Sequence, residues 1–179
     1  LIDRKGNIQA ISKKQYEPVY FSVEKGYAEQ DPNLYWKFAL EALKELTSNH
    51  KELLHDIIGA SVTTFRDSSV QLDSNNEPIR PCILWLDQRM ARAKEKLPFL
   101  SKVAFALVGM TNTIELNRRR TVAHWLKENE PDIWSKTKKY VNISTYLIYK
   151  LTGVLADSPS SMTGHYPIDF KHRKWYKKG

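Results

Sequence analysis

A single cysteine, Cys82, stands in the 179 residues, so no internal disulfide can form and the chain suits a reducing, cytoplasmic compartment. No apolar run approaches the roughly 20 residues that span a bilayer, and no signal peptide is visible. The five histidines, His50, His55, His124, His165 and His172, show neither H-x-x-x-H nor paired-cysteine spacing, which argues against a structural metal. Neither G-x-x-x-x-G-K-[ST] nor G-x-G-x-x-G occurs, so no phosphate cradle of those kinds is encoded. Glycine–aromatic ribonucleoprotein motifs and zinc-finger spacings are missing as well. The first residue is Leu1, not an initiator Met.

What is present is a soluble, globular composition: 41% hydrophobic and 27% charged residues, in a length that suits one domain with a substantial core. The net charge of +8 raises the question of a nucleic-acid partner. Much of the excess is local, however, in Arg118 to Arg120, in Lys136, Lys138 and Lys139, and in Lys171 to Lys178. Such runs read as solvated faces, and a basic nucleic-acid binder is the weaker reading.

The stretch Ala60–Arg89 organises the rest. Two β-type runs, Ile57–Thr63 and Ser69–Leu72, flank Arg66-Asp67, and a third, Cys82–Trp85, leads to Asp87 and Arg89. Between them Asp73-Ser74-Asn75-Asn76 with Pro78 forms a cluster of turn residues, so the segment bends back on itself. An arginine donates hydrogen bonds, a carboxylate accepts them, and an indole covers C–H surface, a set that suits a neutral polyhydroxylated ligand. On these residues alone, a surface loop beside a core tryptophan is the competing reading.

Around this stretch the chain alternates helix and strand, which indicates an α/β layout. Leu1-Ile2-Asp3, a turn at Arg4 to Asn7 and Ile8–Ile11 read as a hairpin, and Val19–Val23 as a short strand. Asp31 is an N-cap and Pro32 a first helical residue, followed by an apolar face of Leu34, Phe38, Ala39, Ala42, Leu43 and Leu46. Met90–Lys96 and Phe99–Val108 read as helices, Met110–Leu116 is unassigned, and Thr121–Glu130 and Pro131–Thr137 read as helices, the second with a buried Trp134. Lys139–Ile143 reads as a strand, with Ser144 capping a helix over Tyr146–Leu151 that closes at Gly153.

Motifs in this order resemble the FGGY carbohydrate kinases, the family of glycerol kinase, xylulokinase and gluconate kinase. Ser61-Val62-Thr63-Thr64-Phe65-Arg66-Asp67-Ser68-Ser69 parallels a glycerol-kinase segment of the type G-I-T-N-Q-R-E-T-T, and Trp85, Asp87 and Arg89 occupy a W-x-D-x-R element. Gly26-Tyr27-Ala28-Glu29-Gln30-Asp31-Pro32 with Trp36 is similar to G-W-x-E-x-D-P-x-x-W. Trp125 to Pro131, Tyr146 to Gly153 and the loop Ala156–Gly164, with Asp157, Ser160, Ser161, Met162 and Thr163, match later blocks. One departure is Val122, where a widespread family signature has Lys three residues before the tryptophan; no family role is carried to the nearby Asn117.

The resemblance implies a ribonuclease H-like (actin-like ATPase) domain, a mixed sheet flanked by helices. Residues 1–179 would be the N-terminal, sugar-binding domain, lacking its first strand and the C-terminal ATP-binding domain, as in an internal fragment or a truncated gene product. It implies an enzyme that uses ATP and Mg²⁺ to phosphorylate a neutral sugar or polyol, with the isolated fragment inactive and binding neither cofactor. Arg66 and Asp67 would clamp substrate hydroxyls and Trp85 would form an apolar wall. Asp87, Arg89 and Asp157 would be structural, Asp157 holding its loop; no catalytic or metal-binding residue is expected here. Xylulokinases carry Met-His at the Arg66-Asp67 positions and glycerol kinases Arg-Glu, so the chain sides with the Arg-carboxylate type. Its shorter Asp leaves space for a four- to six-carbon polyol. A homodimer, and a non-catalytic scaffold derived from such a domain, are the other assemblies this origin allows.

Overall fold

The computed structural model describes residues 1–93, 96–162, 168–169 and 171–175. At its centre is a four-stranded sheet of β1 (Glu29–Gln30), β2 (Ser69–Leu72), β3 (Cys82–Ile83) and β4 (Lys139–Asn142), in the order β1-β3-β2-β4. Each pairing in that sheet is antiparallel, and β2 against β4 carries the longest register, Ser69 opposite Asn142 through Leu72 opposite Lys139. The expected mixed sheet is thus antiparallel among the described strands, with helices on both faces.

Strand alternation distributes the core. Val70 and Leu72 of β2, Cys82 of β3, Leu84 just after it and Val141 of β4 point to one face, where Tyr35, Ile143, Tyr146 and Leu147 meet them. Ile83 and Tyr140 point to the other face, against Trp125, Leu126 and Trp134. Val70 and Leu72 are fully buried, and each such side chain contributes roughly 1.5–3 kcal/mol. On the first face lie α1 (Pro32–Asn49) and α6 (Ile143–Thr152). On the second lie α4 (Val122–Asn129) and α5 (Pro131–Lys136). Two further helices, α2 (Phe99–Leu107) and α3 (Thr111–Arg120), connect the sheet to α4. A two-stranded hairpin, β5 (Ile168–Asp169) with β6 (Lys174–Trp175), follows.

The start of α1 forms as its residues dictate: Asp31 Oδ1 accepts from the Asn33 N–H at 2.9 Å, and Pro32 sits in the first turn. Its inward face differs from the expected one. Pro32 and Tyr35 are the buried residues, while Ala39 and Leu43 are exposed, because only the N-terminal end of the helix lies against the sheet. Tyr35 sits edge-on to Tyr16 and Phe65 at 5.8 and 5.6 Å. The turn after β2 closes on Asp73, whose Oδ1 accepts from the Asn75 and Glu77 N–H groups at 2.8 and 3.0 Å. Gly153 takes the left-handed conformation (φ 75°) that ends α6, its N–H reaching Tyr149 O at 2.7 Å.

Five expectations are corrected. Ile57–Thr63 is not a strand: none of the described strands lies beside it, and a β-branched run without a partner has no ladder to join. Val19–Val23 and the opening hairpin shrink to single bridges, Phe21 to Glu29 and Ile2 to Ile8. Met90–Ala93 is not helical, because Ala91 is buried and donates its N–H to Arg119 O at 2.7 Å instead of to its own turn; Lys94 and Glu95 lie outside the described residues. Ser144 is not an N-cap: β4 runs directly into α6, which puts Asn142 at the cap position and Ser144 inside the first turn. Conversely, the unassigned Met110–Leu116 falls largely in α3, and Trp134 is only partly buried.

Candidate functional site

The site is assembled at the ends of β2, β3 and β4. Asp67 precedes β2 in a left-handed conformation (φ 62°), uncommon for a residue with a Cβ. The next residue, Ser68, is buried, and its Oγ accepts the Trp85 N–H at 3.0 Å. That bond ties the Arg66-Asp67 loop to the exit of β3. Trp85 leaves its indole 62% exposed, whereas the two charged residues after it turn inward.

Asp87 and Arg89 are each 3% exposed at the side chain. Asp87 Oδ2 accepts from the Ala28 N–H at 2.6 Å, and its Oδ1 accepts from the Arg89 N–H and Nε at 2.9 and 2.8 Å. The Arg89 guanidinium lies between the rings of Tyr27 and Trp125, 3.7 and 4.6 Å from their centroids, which compensates the desolvated cation. Its Nη1 is 2.8 Å from Glu29 Oε1, an ion pair without hydrogen-bond alignment. The same Glu29 oxygen accepts from Arg80 Nη2 at 2.7 Å, and Arg80 Nε pairs with Glu130 Oε2 at 2.9 Å. A chain of alternating charges, Asp87–Arg89–Glu29–Arg80–Glu130, therefore pins β1, the β3 exit and the end of α4 together. In the sequence Glu29 stands only as part of a motif, and Arg80 belongs to none. Nothing local in Ala28-Glu29-Gln30 or Ile79-Arg80-Pro81 signals that the two charges meet.

Against this wall opens a cavity of about 910 Å³ bordered by Asp67, Trp85, Asn117, Arg120, Tyr140 and Asn142, among others. Burial pushes the Tyr140 phenol up to about 12, so it stays protonated at neutral pH. A second cavity, of about 260 Å³, is bordered by Arg66, Thr64, Ser144, Asp157, Ser160 and Ser161, and Asn142 borders both. The structure thus brings Asp67 and Trp85 together and sets Arg66 apart from them, with Asp157.

Asp157 holds its loop to α6. Its Oδ2 accepts the hydroxyls of Ser144 and Thr145, both at 2.6 Å, and its Oδ1 accepts the Ser158 N–H at 2.7 Å. Burial raises its pKa, but the bonds from Ser144, Thr145, Ser161 and Ser158 outweigh it, leaving the carboxyl below its ordinary value. A depressed carboxyl stabilises the fold above its unfolded pKa and loses that contribution as pH falls through the folded one. Asp157→Asn is therefore expected to lower stability at pH 7 and to flatten the acid limb of a denaturation profile below about pH 4. An unchanged acid limb would exclude Asp157 as a source of acid lability. Thr163, Gly164 and His165 of the same loop lie outside the described residues.

A model of the FGGY family of carbohydrate kinases, N-terminal domain, matches residues 1–178. The xylulose kinase of Lactococcus lactis subsp. lactis is 32% identical over 177 residues, 98% of this chain and 34% of that relative. A glycerol kinase of Thermococcus onnurineus is 25% identical, with 98% of this chain and 36% of its own length aligned. Among solved structures, a xylulose kinase from Brucella ovis superposes with a TM-score of 0.73 at 23% identity, over 99% of this chain and 36% of that one. The Plasmodium falciparum glycerol kinase with ADP superposes with a TM-score of 0.63 at 23% identity, over the same two shares. At these identities the superpositions show the fold, and the chain spans about a third of the length of the relatives it matches.

Proposed function

Since this chain belongs to the FGGY family of carbohydrate kinases as its N-terminal domain, we propose that it is the sugar-binding part of an ATP-dependent kinase that phosphorylates a hydroxyl of a neutral sugar or polyol. The observation that carries this reading is the larger cavity, where Asp67 and the exposed Trp85 indole face one space. Asp67 accepts hydrogen bonds from ligand hydroxyls, and the indole covers C–H surface. Charge-assisted hydroxyl–carboxylate bonds are worth roughly 1.5–3 kcal/mol each. The same carboxylate repels an anionic ligand, which favours a neutral polyol or ketose, with room for four to six carbons.

In this reading the nucleotide contacts and the base that deprotonates the acceptor belong to the C-terminal ATP-binding domain. Among the described residues, no group of three or more His, Cys, Asp or Glu could hold a metal ion. The 179 residues alone would then release no ADP in response to sugar.

The test is an ADP-release screen of the full-length protein with ATP against glycerol, four- to six-carbon polyols, ketoses and aldonates. Neutral compounds are expected to be the best substrates, and Asp67→Asn to raise KM for the best of them roughly tenfold, the factor that about 1.4 kcal/mol gives. A screen in which gluconate-like acids outperform every neutral sugar would overturn the substrate class.

A further inference from the structure

The charged side chains on the border of the larger cavity are Asp67, Asp87, Arg89 and Arg120. Asp87 and Arg89 are committed to each other, to the Ala28 N–H and to Glu29. That leaves Asp67 before β2 and Arg120 at the end of α3, an acceptor and a donor on two different elements. Arg120 closes a run of three arginines in the last turn of α3, where cations offset the helix dipole. The three differ in their surroundings. Arg118 lies 3.4 Å from Glu115 Oε2, Arg119 borders neither cavity, and Arg120 borders the larger one. Among the described residues, no hydrogen bond or ion pair engages the Arg120 guanidinium. The helix end that carries it is fixed by other groups. The Asn117 carbonyl accepts the Thr121 hydroxyl at 2.8 Å, the Arg118 carbonyl lies 2.8 Å from His124 Nδ1, and the Arg119 carbonyl accepts the Ala91 N–H at 2.7 Å. These bonds satisfy carbonyls that a helix end leaves open and tie α3 to the segment that follows Arg89. The guanidinium is thus anchored at the cavity by its backbone, with its N–H donors available to a ligand.

Resting on the kinase reading above, we propose that Arg120 holds the end of the acceptor remote from Asp67 and so selects acceptors by chain length. Asp67 accepts from hydroxyl groups and Arg120 donates to oxygens, so one ligand must reach both elements to satisfy both. The planar fork of N–H groups fits two neighbouring oxygens of a polyol, or the carbonyl and adjacent hydroxyl of a ketose. Glycerol, with three carbons, fills the Asp67 end and leaves Arg120 to water, whereas a longer acceptor replaces that water with its own oxygens. A neutral molecule matches this pair, since the opposite charges of Asp67 and Arg120 offset each other and the ligand adds none. Arg120 touches a part of the acceptor that does not react, so its bonds are the same before and during the transfer. They act on KM and not on kcat.

The experiment uses the full-length protein with ATP and a series of neutral acceptors, from glycerol to five- and six-carbon polyols and ketoses. The wild type is expected to gain in kcat/KM along the series. Arg120→Gln should raise KM about tenfold for the five- and six-carbon acceptors, keep kcat within about twofold and leave glycerol unaffected, so that the gain with length collapses. Arg120→Lys should restore part of the gain, since the charge remains and the fork is lost. Arg119→Gln removes the same charge one residue away, outside the cavity border, and should behave as the wild type. Arg120 is exposed and unengaged, so the melting temperature should not move. A wild type that turns over glycerol best, a KM that rises equally for every acceptor or for none, or equal effects of Arg119→Gln and Arg120→Gln would overturn selection by Arg120 and leave the kinase reading in place. A wild-type protein that releases no ADP with any sugar would overturn both.

Discussion

Asp87→Ala is expected to lower the melting temperature of this domain by roughly 10 °C, from a loss of about 3–5 kcal/mol. The size follows from what Asp87 leaves behind. Its two oxygens satisfy the Ala28 N–H at 2.6 Å and the Arg89 N–H and Nε at 2.9 and 2.8 Å, all in surroundings where Arg89 is 3% exposed. Alanine leaves the buried Arg89 with Glu29 as its remaining carboxylate and orphans buried N–H groups, and each orphan costs about 1–3 kcal/mol. Asp87→Asn retains the shape and one acceptor, so its melting temperature should fall between the two. Differential scanning calorimetry with sugar-binding measurements on both variants decides the matter. An unchanged melting temperature combined with lost sugar affinity would reassign Asp87 from support to ligand contact.

The second large effect is expected at Glu29. One of its oxygens lies 2.7 Å from Arg80 Nη2 and 2.8 Å from Arg89 Nη1. Glu29→Ala leaves two guanidinium groups facing each other across a dry gap, where their repulsion adds to the lost attraction, for a cost of about 3 kcal/mol. Arg80 keeps Glu130 and Arg89 keeps Asp87, which is why the loss should not exceed that of Asp87→Ala. A double-mutant cycle with Arg80→Met provides the check. Replacing both members of a buried pair by apolar groups is far less costly than breaking it, so Glu29→Ala with Arg80→Met should be destabilised by less than the sum of the single changes. Strict additivity would mean that the close approach carries no coupling.

These two residues also mark where reading from sequence stopped. Asp87 and Arg89 are two apart in W-x-D-x-R, and their hydrogen bonds to each other need no distant element. Glu29 and Arg80 are fifty-one positions apart, and no local pattern announces that a β-sheet will set them side by side. The Arg66-Asp67 pair shows the reverse failure. Adjacent residues suggested one clamp, yet a single left-handed φ at Asp67 places them on two cavities. Ile57–Thr63 and Met90–Lys96 mislead for a related reason. Their apolar patterns are compatible with strand and helix, but strand needs a neighbour's ladder, and Ala91 gives its N–H to α3 instead.

What the chain determines by itself is local. Asp31-Pro32 starts α1, Asp73 closes a turn through its own carboxylate, Gly153 ends α6 at φ 75°, and ordered motifs declare the family. Each depends on interactions within a few residues, where side-chain chemistry and backbone sterics act without outside help. Tertiary structure alone decided that Tyr35 and not Leu43 faces the core, that Ser144 serves Asp157 rather than a helix cap, and that Asn142 joins two cavities. Those outcomes depend on which surfaces are brought into contact across the sheet. Burial and desolvation at such contacts are worth more than the local preferences they override.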